Sequence, residues 1–245
     1  MSKLLELRKK ILLKIIPSFF WPNYKNVYGI KIPIRNSGYS TGTKWAIITR
    51  RYEKEELYFV NKYINEGSFV LELGASLGIV TRLISKKIGV RGKVVAVEAS
   101  PKIYESEKTA LKSIPNVLYL NGLGFPCNGR DLSKYRKIKF HEASSNLGGK
   151  ISKEESSNIH NKIYDLGTLE EGYSTYCLVV DIEGAEIELL ENGAFIESRI
   201  NIIIIELHPG IYGSTNEKKI LNKILDNGFK IIDNRKDVFV FSRVQ

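Results

Sequence analysis

SFVLELGASLGIV, residues 68–80, is the stretch of this chain that decides its fold. An apolar run at 68–73 leads into a short turn with Gly74 and Gly78, and an amphipathic stretch follows at 78–89. Apolar residues on both faces of a short run are typical of a buried strand in a parallel sheet. The stretch therefore predicts a strand, a tight glycine turn and a helix, which together make the first half of a βαβ unit.

The same alternation of apolar runs and amphipathic stretches continues toward the C-terminus. Four more short runs are rich in Val, Ile and Leu, and they lie at 93–98, 116–120, 177–182 and 201–207. The further amphipathic stretches lie at 101–113, 184–197 and 214–227. Strands that alternate with helices of this length predict a Rossmann-like α/β domain with a doubly wound, mostly parallel sheet. Two last runs, 229–233 and 238–242, flank a polar turn and predict a C-terminal hairpin with an antiparallel last strand.

Upstream of residue 68 the pattern is less regular. The stretch from Lys44 to the stop signal at 65–67 looks helical, and residues 27–34 alternate weakly, as in a short hairpin or cap strand. We therefore expect an N-terminal arm or cap over residues 1–50 and the α/β domain over residues 51–245.

Residues 123–165 interrupt the alternation, since they are rich in Ser, Gly, Asn and Lys. A structureless loop of this length is uncommon in a compact domain. We expect extra strands here, around 135–141, within an insertion or substrate lid. The segment also carries a basic run, which consists of Arg130, Lys134, Arg136, Lys137 and Lys139. We favour the interpretation of this run as a solvated edge strand, and recognition of an anionic substrate is the alternative.

The positive charge of the chain is concentrated at its N-terminus. Of the net charge of +10, residues 1–62 supply +9, from 13 Lys/Arg and 4 Asp/Glu. Residues 3–16 predict a basic amphipathic helix that ends at Pro17. We favour packing of this helix on the core or on a second copy in a homo-oligomer. The alternative is that residues 3–21 contact an anionic membrane surface peripherally. The nearly neutral remainder argues against a nucleic-acid channel across the domain.

Targeting and redox signals are weak. No apolar run reaches the roughly 20 residues that a membrane-spanning helix needs, and the run at 11–21 lacks the small-residue cleavage site of a secretory signal. The two cysteines, Cys127 and Cys177, are far apart and indicate no disulfide framework. We therefore expect a cytoplasmic protein, with peripheral contact at the inner membrane surface as an open alternative.

Acidic residues stand at the ends of the first two predicted strands of the domain. Glu72 precedes the glycine turn, and Glu98 ends the second strand, 20 residues after Gly78. Ligands of such sheets bind outside the carboxyl ends of the strands, where an acid on the second strand can accept hydrogen bonds from ribose hydroxyls. A dinucleotide site needs the G-x-G-x-x-G spacing to receive a pyrophosphate, but this turn has only Gly74 and Gly78. The pattern therefore favours a cationic, adenosine-bearing cofactor over NAD.

Five segments occur in a recognisable order: LELGASLG, VVAVEASP, VLYLNGLG, LVVDIEGAEIELLENGA and IIIIELHP. Together they resemble the FkbM-type methyltransferase family over roughly residues 66–210, and the DIEGAE match at 181–186 is the most specific. Residues 164–169, YDLGTL, resemble the Thr-Leu segment that the family has before this strand. The resemblance implies the class I methyltransferase fold with a seven-stranded sheet and S-adenosylmethionine as cofactor. The usual reaction in the family is O-methylation of a sugar or natural-product hydroxyl.

The resemblance also assigns residues to the cofactor. The turn after the first strand would surround the methionine part, and Glu98 would hold the ribose. The two residues after Glu98 would flank the adenosine, and the pair after the third strand would lie near the adenine. The cofactor-binding residues implied are Glu72, Gly74, Ala75, Ser76, Gly78, Glu98, Ala99, Ser100, Asn121 and Gly122.

Four further polar residues stand at the ends of the next two strands. Asp181 and Glu183 follow the fourth strand, and Glu206 and His208 follow the fifth, which should be its neighbour in the sheet. A hydroxyl acceptor gains from a base within hydrogen-bond reach. Asp181 and His208 are the candidates for that base, with Glu183 and Glu206 orienting them or binding the acceptor. Helix capping is the alternative for the first two acids, and a purely structural hydrogen bond is the alternative for the histidine.

The leading hypothesis is an S-adenosylmethionine-dependent methyltransferase that acts on a hydroxyl of a glycan or another small acceptor. An NAD-linked oxidoreductase and a non-catalytic module that uses the basic arm for membranes or partners are the alternatives. No Asn-Pro-Pro-Tyr-like tetrapeptide follows the fourth strand, so a nucleic acid is not expected as a partner. His141, His160 and His208 lack the ligand spacing of a metal site, and none is predicted, although the carboxylates could still bind Mg²⁺.

Overall fold

The computed structural model describes residues 18–125, 139–142, 149–152, 162–165, 176–191 and 199–244. The chain divides into two compact units, Met1–Lys54 and Glu55–Gln245. The basic helix expected at 3–16 lies outside the described residues, and the role of residues 1–50 as an arm or cap stays a prediction. Among the described helices, none has the length and apolar character needed to cross a membrane.

In the first unit, a β-hairpin precedes a short helix. The elements are a single 3-10 turn (Ser18–Phe20), β1 (Tyr24–Val27), β2 (Ile30–Pro33) and α1 (Thr41–Ile48). The two turn residues, Tyr28 and Gly29, have φ angles of 47° and 76°, and positive φ at both positions is what a type I′ hairpin requires. The weak alternation at 27–34 therefore belongs to a hairpin, whose first strand begins earlier than expected.

The stretch that looks helical from Lys44 to Asn65 forms two helices, α1 and α2 (Lys54–Tyr63). Arg50 and Glu53, in the link between them, have φ angles of 56° and 44°. A right-handed helix cannot continue through residues in this left-handed region, so α1 and α2 are separate helices.

Strands and helices alternate through the second unit. In chain order after α2 they are β3 (Phe69–Leu73), α3 (Ile79–Ile88), β4 (Lys93–Glu98), α4 (Pro101–Lys112), β5 (Val117–Asn121), β6 (Leu123–Phe125), β7 (Lys139–Glu142), β8 (Gly149–Ser152), β9 (Ile163–Asp165), β10 (Tyr176–Val180), α5 (Glu186–Glu191), β11 (Ile200–Glu206), α6 (Pro209–Tyr212), α7 (Ser214–Asp226), β12 (Phe229–Arg235) and β13 (Val238–Arg243). Each strand and helix predicted for the α/β core is present. The predicted end of the third core helix, at 197, lies outside the described residues.

Seven of these strands form one sheet in the order β12-β13-β11-β10-β3-β4-β5. The pairs from β11 through β10, β3 and β4 to β5 are parallel, whereas β13 is antiparallel to both β11 and β12. The sequence prediction of a Rossmann-like α/β fold with a seven-stranded, mostly parallel sheet and a C-terminal antiparallel hairpin is therefore confirmed. The strand order reverses between β3 and β10, and ligands of doubly wound sheets bind at such a switch point.

The centre of the sheet is buried on both faces. All five residues of β3 and all five of β10 are buried, as expected for apolar runs without alternation. Leu71, Leu178 and Ile203 share a core with Ile220 and Ile224 of α7. Full burial of such a side chain contributes about 1.5–3 kcal/mol. Burial on both faces thus fixes the central strands, and side chains at the ends of these strands have defined positions.

The segment at 123–165 contains short strands. β6 pairs in parallel with β9, and β7 forms an antiparallel hairpin with β8. The extra strands expected around 135–141 are therefore present, with β7 starting at Lys139, while a lid function stays a prediction. The other four residues of the basic run and Cys127 lie outside the described residues, whereas Cys177 is a buried free thiol in β10.

Candidate active site

The carboxyl ends of five neighbouring parallel strands meet at one edge of the sheet. The register pairs Leu73 of β3 with Val97 of β4 and Val180 of β10, and Val180 with Ile205 of β11. The strand ends are therefore level with one another. All the site residues predicted from the sequence lie at this edge: the ten cofactor residues on β3, β4, β5 and the turns after them, and the four catalytic candidates after β10 and at the end of β11.

The turn after β3 depends on two glycines. Gly74 has a φ of 88°, and a Cβ there would stand 1.6 Å from the Asp181 carbonyl oxygen. Gly78 has a φ of 65°, and a Cβ there would meet the Leu111 side chain at 2.6 Å. The N–H groups of Gly74 and Ala75 both donate to the carbonyl of Val97, at 3.0 and 3.1 Å. Only glycine combines this backbone with such close approach, so the turn is tied to both neighbouring strands.

Glu98 connects two loops of the site. One carboxylate oxygen, Oε2, accepts the Ser76 N–H at 2.7 Å, and the other, Oε1, accepts the Ser100 N–H at 2.7 Å. The side chain is buried. Each carboxylate oxygen has two acceptor sites, so these two bonds alone do not exclude the ribose hydroxyls that the sequence assigns to Glu98. Glu98 thus has a structural role that sequence reasoning did not anticipate.

The predicted pair after β5 is tied to the same strand end. The Asn121 amide, Nδ2, donates to the Glu98 carbonyl at 2.8 Å, and the Gly122 N–H donates to the same carbonyl at 2.9 Å. Ser100 caps α4, with its hydroxyl accepting the Ile103 N–H at 3.2 Å. These bonds hold the loops after β4 and β5 against each other.

Glu72 is the most buried acid among the predicted cofactor residues. Its side chain is only 2% exposed, and its Oε2 has no hydrogen-bond partner among the described residues. Burial raises the pKa of Glu72 to about 8, and the nearby charges of Glu98 and Asp181 contribute to the rise. A buried carboxyl group with an unsatisfied oxygen is costly on its own, so this position suits a cationic partner.

The four catalytic candidates form a cluster around His208. Nε2 of His208 lies 3.6 Å from Asp181 Oδ1 and 3.6 Å from Glu183 Oε2. Asp181, Glu206 and His208 can each present one atom such that the three atoms lie within 4.8 Å of one another. The sheet therefore brings together the acids and the histidine that the sequence places on two different strands.

Glu186 was not assigned a role by sequence reasoning, yet it contacts the histidine directly. Its Oε1 lies 3.0 Å from Nδ1 of His208, and its side chain is 0% exposed. The His208 N–H donates to the Tyr212 hydroxyl at 2.7 Å, which holds the backbone as well. With Nδ1 engaged by Glu186, the other ring nitrogen faces Asp181 and Glu183. The signal for Glu186 was present in the DIEGAE segment, as its last residue.

Glu56, on α2, is a second residue that sequence reasoning missed. It is buried, and its carboxyl group shares a hydrogen bond with that of Glu206. Burial raises the pKa of both acids, to about 8 for Glu206. A bond between two carboxyl groups needs a proton between them. A local signal was present, because Glu56 precedes the apolar Phe59 by three residues and Val60 by four. This spacing places all three residues on the buried side of the helix.

The charges of the cluster shift the pKa values of its members. Burial raises the pKa of Asp181, and the charges of Glu206 and Glu183 raise it further. Burial alone would lower the pKa of His208, but the bond to Glu186 and the surrounding carboxylates raise it to about 9. The cluster thus carries an excess of acids that attracts protons or other cations.

Several solved structures resemble this chain in fold. Fibrillarin from Aeropyrum pernix, in complex with natively bound S-adenosyl-L-methionine, is 19% identical, with a TM-score of 0.43, over 73% of this chain and 67% of that chain. A SAM-dependent methyltransferase from Aquifex aeolicus is 18% identical, with a TM-score of 0.41, over 79% and 90%. A fibrillarin pre-rRNA processing protein from Methanococcus jannaschii is 18% identical, with a TM-score of 0.44, over 74% and 68%.

Sequence comparison gives the family. No curated protein sequence matches the chain. The family description "Methyltransferase FkbM domain" matches residues 72–231, which include the glycine turn, Glu98 and the whole cluster around His208. This match sets aside the alternative of an NAD-linked oxidoreductase. The chain belongs to the FkbM family of S-adenosylmethionine-dependent methyltransferases.

Proposed function

We propose that this methyltransferase methylates a hydroxyl oxygen of a glycan or another small hydroxylated acceptor. The observation that carries the proposal is the cluster of His208 and acids directly beside the glycine turn. Gly74 approaches Asp181 so closely that a Cβ on it would stand 1.6 Å from the Asp181 carbonyl oxygen. The cofactor turn and a candidate base are therefore neighbours, as methyl transfer to a weakly acidic oxygen requires.

The residues present fit the cofactor. Glu72 offers a buried carboxyl oxygen without a partner among the described residues, near Glu98 and Asp181. S-adenosylmethionine, when bound, supplies an electrophilic methyl group on a positively charged sulfur. Glu72 and the turn at 74–78 would hold its methionine part, and Glu98 would hold the ribose. Ala99, Ser100, Asn121 and Gly122 would flank the adenosine.

The acid cluster would prepare the acceptor. Asp181 and His208 are the candidate bases for the hydroxyl proton, and Glu183 and Glu206 would bind or orient the acceptor. A positioned base within hydrogen-bond reach contributes typically 10²- to 10⁴-fold to the rate. A sugar carries several neighbouring hydroxyl groups, and the carboxylates of this cluster can accept hydrogen bonds from them. This favours a polyhydroxylated acceptor over an apolar one.

An acceptor screen tests the proposal. The full chain is incubated with S-adenosylmethionine that carries a labelled methyl group and with sugars, oligosaccharides and polyols, each paired with its deoxy analogue. We expect labelled product from hydroxylated acceptors and none from the matched deoxy compound at the methylated position. Transfer to amines or carboxylates, with no transfer to any hydroxyl, would overturn the proposal.

A further inference from the structure

We propose that Asp181, Glu206 and His208 bind a divalent cation that accepts mixed oxygen and nitrogen ligands, such as Mn²⁺, and that this cation receives the acceptor hydroxyl. The second half of the statement rests on the proposed function. The first half rests only on the arrangement of side chains at the ends of β10 and β11.

The spacing of the three side chains suits a single ion. Each offers one ligand atom, and the three atoms lie within 4.8 Å of one another. Metal–ligand distances for such cations are about 2.0–2.4 Å, so two ligands of one ion stand at most about 4.8 Å apart. An imidazole nitrogen with two carboxylate oxygens is also a donor set that divalent transition metals accept.

The orientation of His208 is that of a metal ligand. Its Nδ1 lies 3.0 Å from Oε1 of the fully buried Glu186, so Nε2 is left to face Asp181. Metal-binding histidines generally use the nitrogen opposite to such a carboxylate or carbonyl partner. Glu186 is then a positioning residue, which fixes the tautomer and the ring plane of His208 from the side away from the ion.

A second observation is an unsatisfied oxygen inside the cluster. Oδ1 of Asp181 is buried and has no hydrogen-bond partner among the described residues. It faces Nε2 of His208 at 3.6 Å, which is too long for a hydrogen bond but suits two ligands of one ion. Buried polar atoms are rarely left in this state unless an ion or water completes them.

The charge around the site also favours a cation. Among the described residues, four acidic side chains contact His208 or act on its charge, namely Asp181, Glu183, Glu186 and Glu206, and Glu56 adjoins Glu206. Lys236, whose charge acts on Glu56 and Glu206, is exposed and pairs with Glu55 at 2.8 Å. A divalent ion would offset this excess where the side chains alone do not.

The ion gives the methyl transfer a defined path. A hydroxyl in contact with a divalent cation has a lowered pKa, and its proton passes to the second oxygen of Asp181, which binds the ion through Oδ1. The acceptor oxygen then forms its bond to the methyl carbon while the carbon–sulfur bond breaks. The electron pair of that bond stays on sulfur, which becomes a neutral thioether. His208 acts as a ligand in this scheme, and Asp181 is the base.

Titration with Mn²⁺ tests the site directly. The full chain is stripped with EDTA and titrated with Mn²⁺ in a calorimeter and by electron paramagnetic resonance, without cofactor or acceptor. We expect one Mn²⁺ per chain, and weaker binding by at least tenfold in Asp181→Asn, Glu206→Gln and His208→Gln. Glu186→Gln leaves all three ligands in place and should weaken binding roughly 10- to 100-fold through His208. Circular dichroism melting of each variant shows whether it is folded.

Two exposed acids provide matched controls. Asp226 and Glu191 lie outside the cluster and are exposed, so Asp226→Asn and Glu191→Gln should bind Mn²⁺ as the wild type does. Absence of Mn²⁺ binding by the folded wild type, or equal binding by the folded ligand variants and these controls, would overturn the proposal. Methyl transfer to a hydroxyl that is unchanged in EDTA would also overturn it and leave the proposed function standing. Stoichiometric Mn²⁺ binding without transfer to any hydroxyl would support the site and contradict the proposed function.

Discussion

Gly74 and Asp181 are packed so closely that a Cβ on the glycine would stand 1.6 Å from the aspartate carbonyl oxygen and 2.7 Å from its carbonyl carbon. The Asp181 N–H in turn donates to the carbonyl of Leu73 at 3.0 Å. The turn assigned to the cofactor and the strand end assigned to the acceptor therefore form one rigid junction. A change to the backbone on one side of this junction should therefore alter the other side.

The variant Gly74→Ala should lose both stability and cofactor binding. The added Cβ meets backbone atoms, and the φ of 88° is strained for any residue other than glycine. We expect destabilisation of more than about 1 kcal/mol, with a fall in melting temperature of several degrees. Thermal melting and calorimetry with S-adenosylmethionine measure the two effects. The control is Gly42→Ala in α1, where the nearest atom to a new Cβ is 3.8 Å away; equal behaviour of the two variants would contradict the rigid junction.

The stability of the protein should depend on pH through Glu72. Burial raises the pKa of its carboxyl group from 4.5 to about 8 in the folded chain. The folded chain therefore holds a proton that the unfolded chain releases between these pH values, and the contribution of Glu72 to stability falls as pH rises through this window. We expect a slope approaching about 1.4 kcal/mol per pH unit from this group. Urea unfolding at pH 5 to 8 should show a shallower slope for Glu72→Gln, while Glu191→Gln keeps the wild-type slope.

Cofactor binding should release a proton from Glu72. At pH 7 its carboxyl group is mostly protonated, because its pKa is raised to about 8. A bound cation favours the ionised form, so binding of S-adenosylmethionine should expel up to one proton. Calorimetry in buffers of different ionisation enthalpy measures this number. A proton count in Glu72→Gln equal to that of the wild type would show that the proton comes from elsewhere.

Replacement of Asp181 should separate binding from turnover. Asn keeps the shape of the side chain but cannot take a proton at this position. We expect Asp181→Asn to lower kcat for methyl transfer by roughly 10²- to 10⁴-fold, with cofactor affinity changed only a few-fold. The matched change Asp226→Asn, at an exposed position on α7, should leave both parameters unchanged. A kcat for Asp181→Asn within a few-fold of the wild type would rule out the proposed base.

Among the described residues of the first unit, Phe19 and Phe20 are the most exposed aromatic residues, at 65% and 68%. They lie three and four residues after the basic stretch at 3–16. Aromatic residues next to basic ones favour the surface of an anionic membrane. We expect the full chain to co-sediment with vesicles that contain phosphatidylserine and the double variant Phe19→Ser/Phe20→Ser to do so less. Equal recovery of both proteins in the supernatant would favour packing of the basic stretch on protein instead.

The alternation of strands and helices, the glycine turn and the acids at the strand ends could all be predicted from the amino-acid sequence. These features are local, because the apolar residues of a strand themselves indicate its burial and the glycines of a tight turn themselves indicate the turn. Even the neighbourhood of Asp181 and His208 follows from the order of parallel strands, since their carboxyl ends share one edge. The interruption between α1 and α2 at Arg50 and Glu53 could not be predicted from the sequence, because positive φ at such residues has no clear local signature.

Only the tertiary structure decided which side chains touch. Glu186 meets His208, and Glu56 meets Glu206, through the packing of a helix against a strand end. Such contacts depend on the rotation of each helix about its axis and on side-chain rotamers, which hydrophobic periodicity determines only coarsely. The sequence assigned Glu98 only to a ligand. In the folded chain Glu98 also joins two loops, because its carboxylate accepts the N–H groups of Ser76 and Ser100.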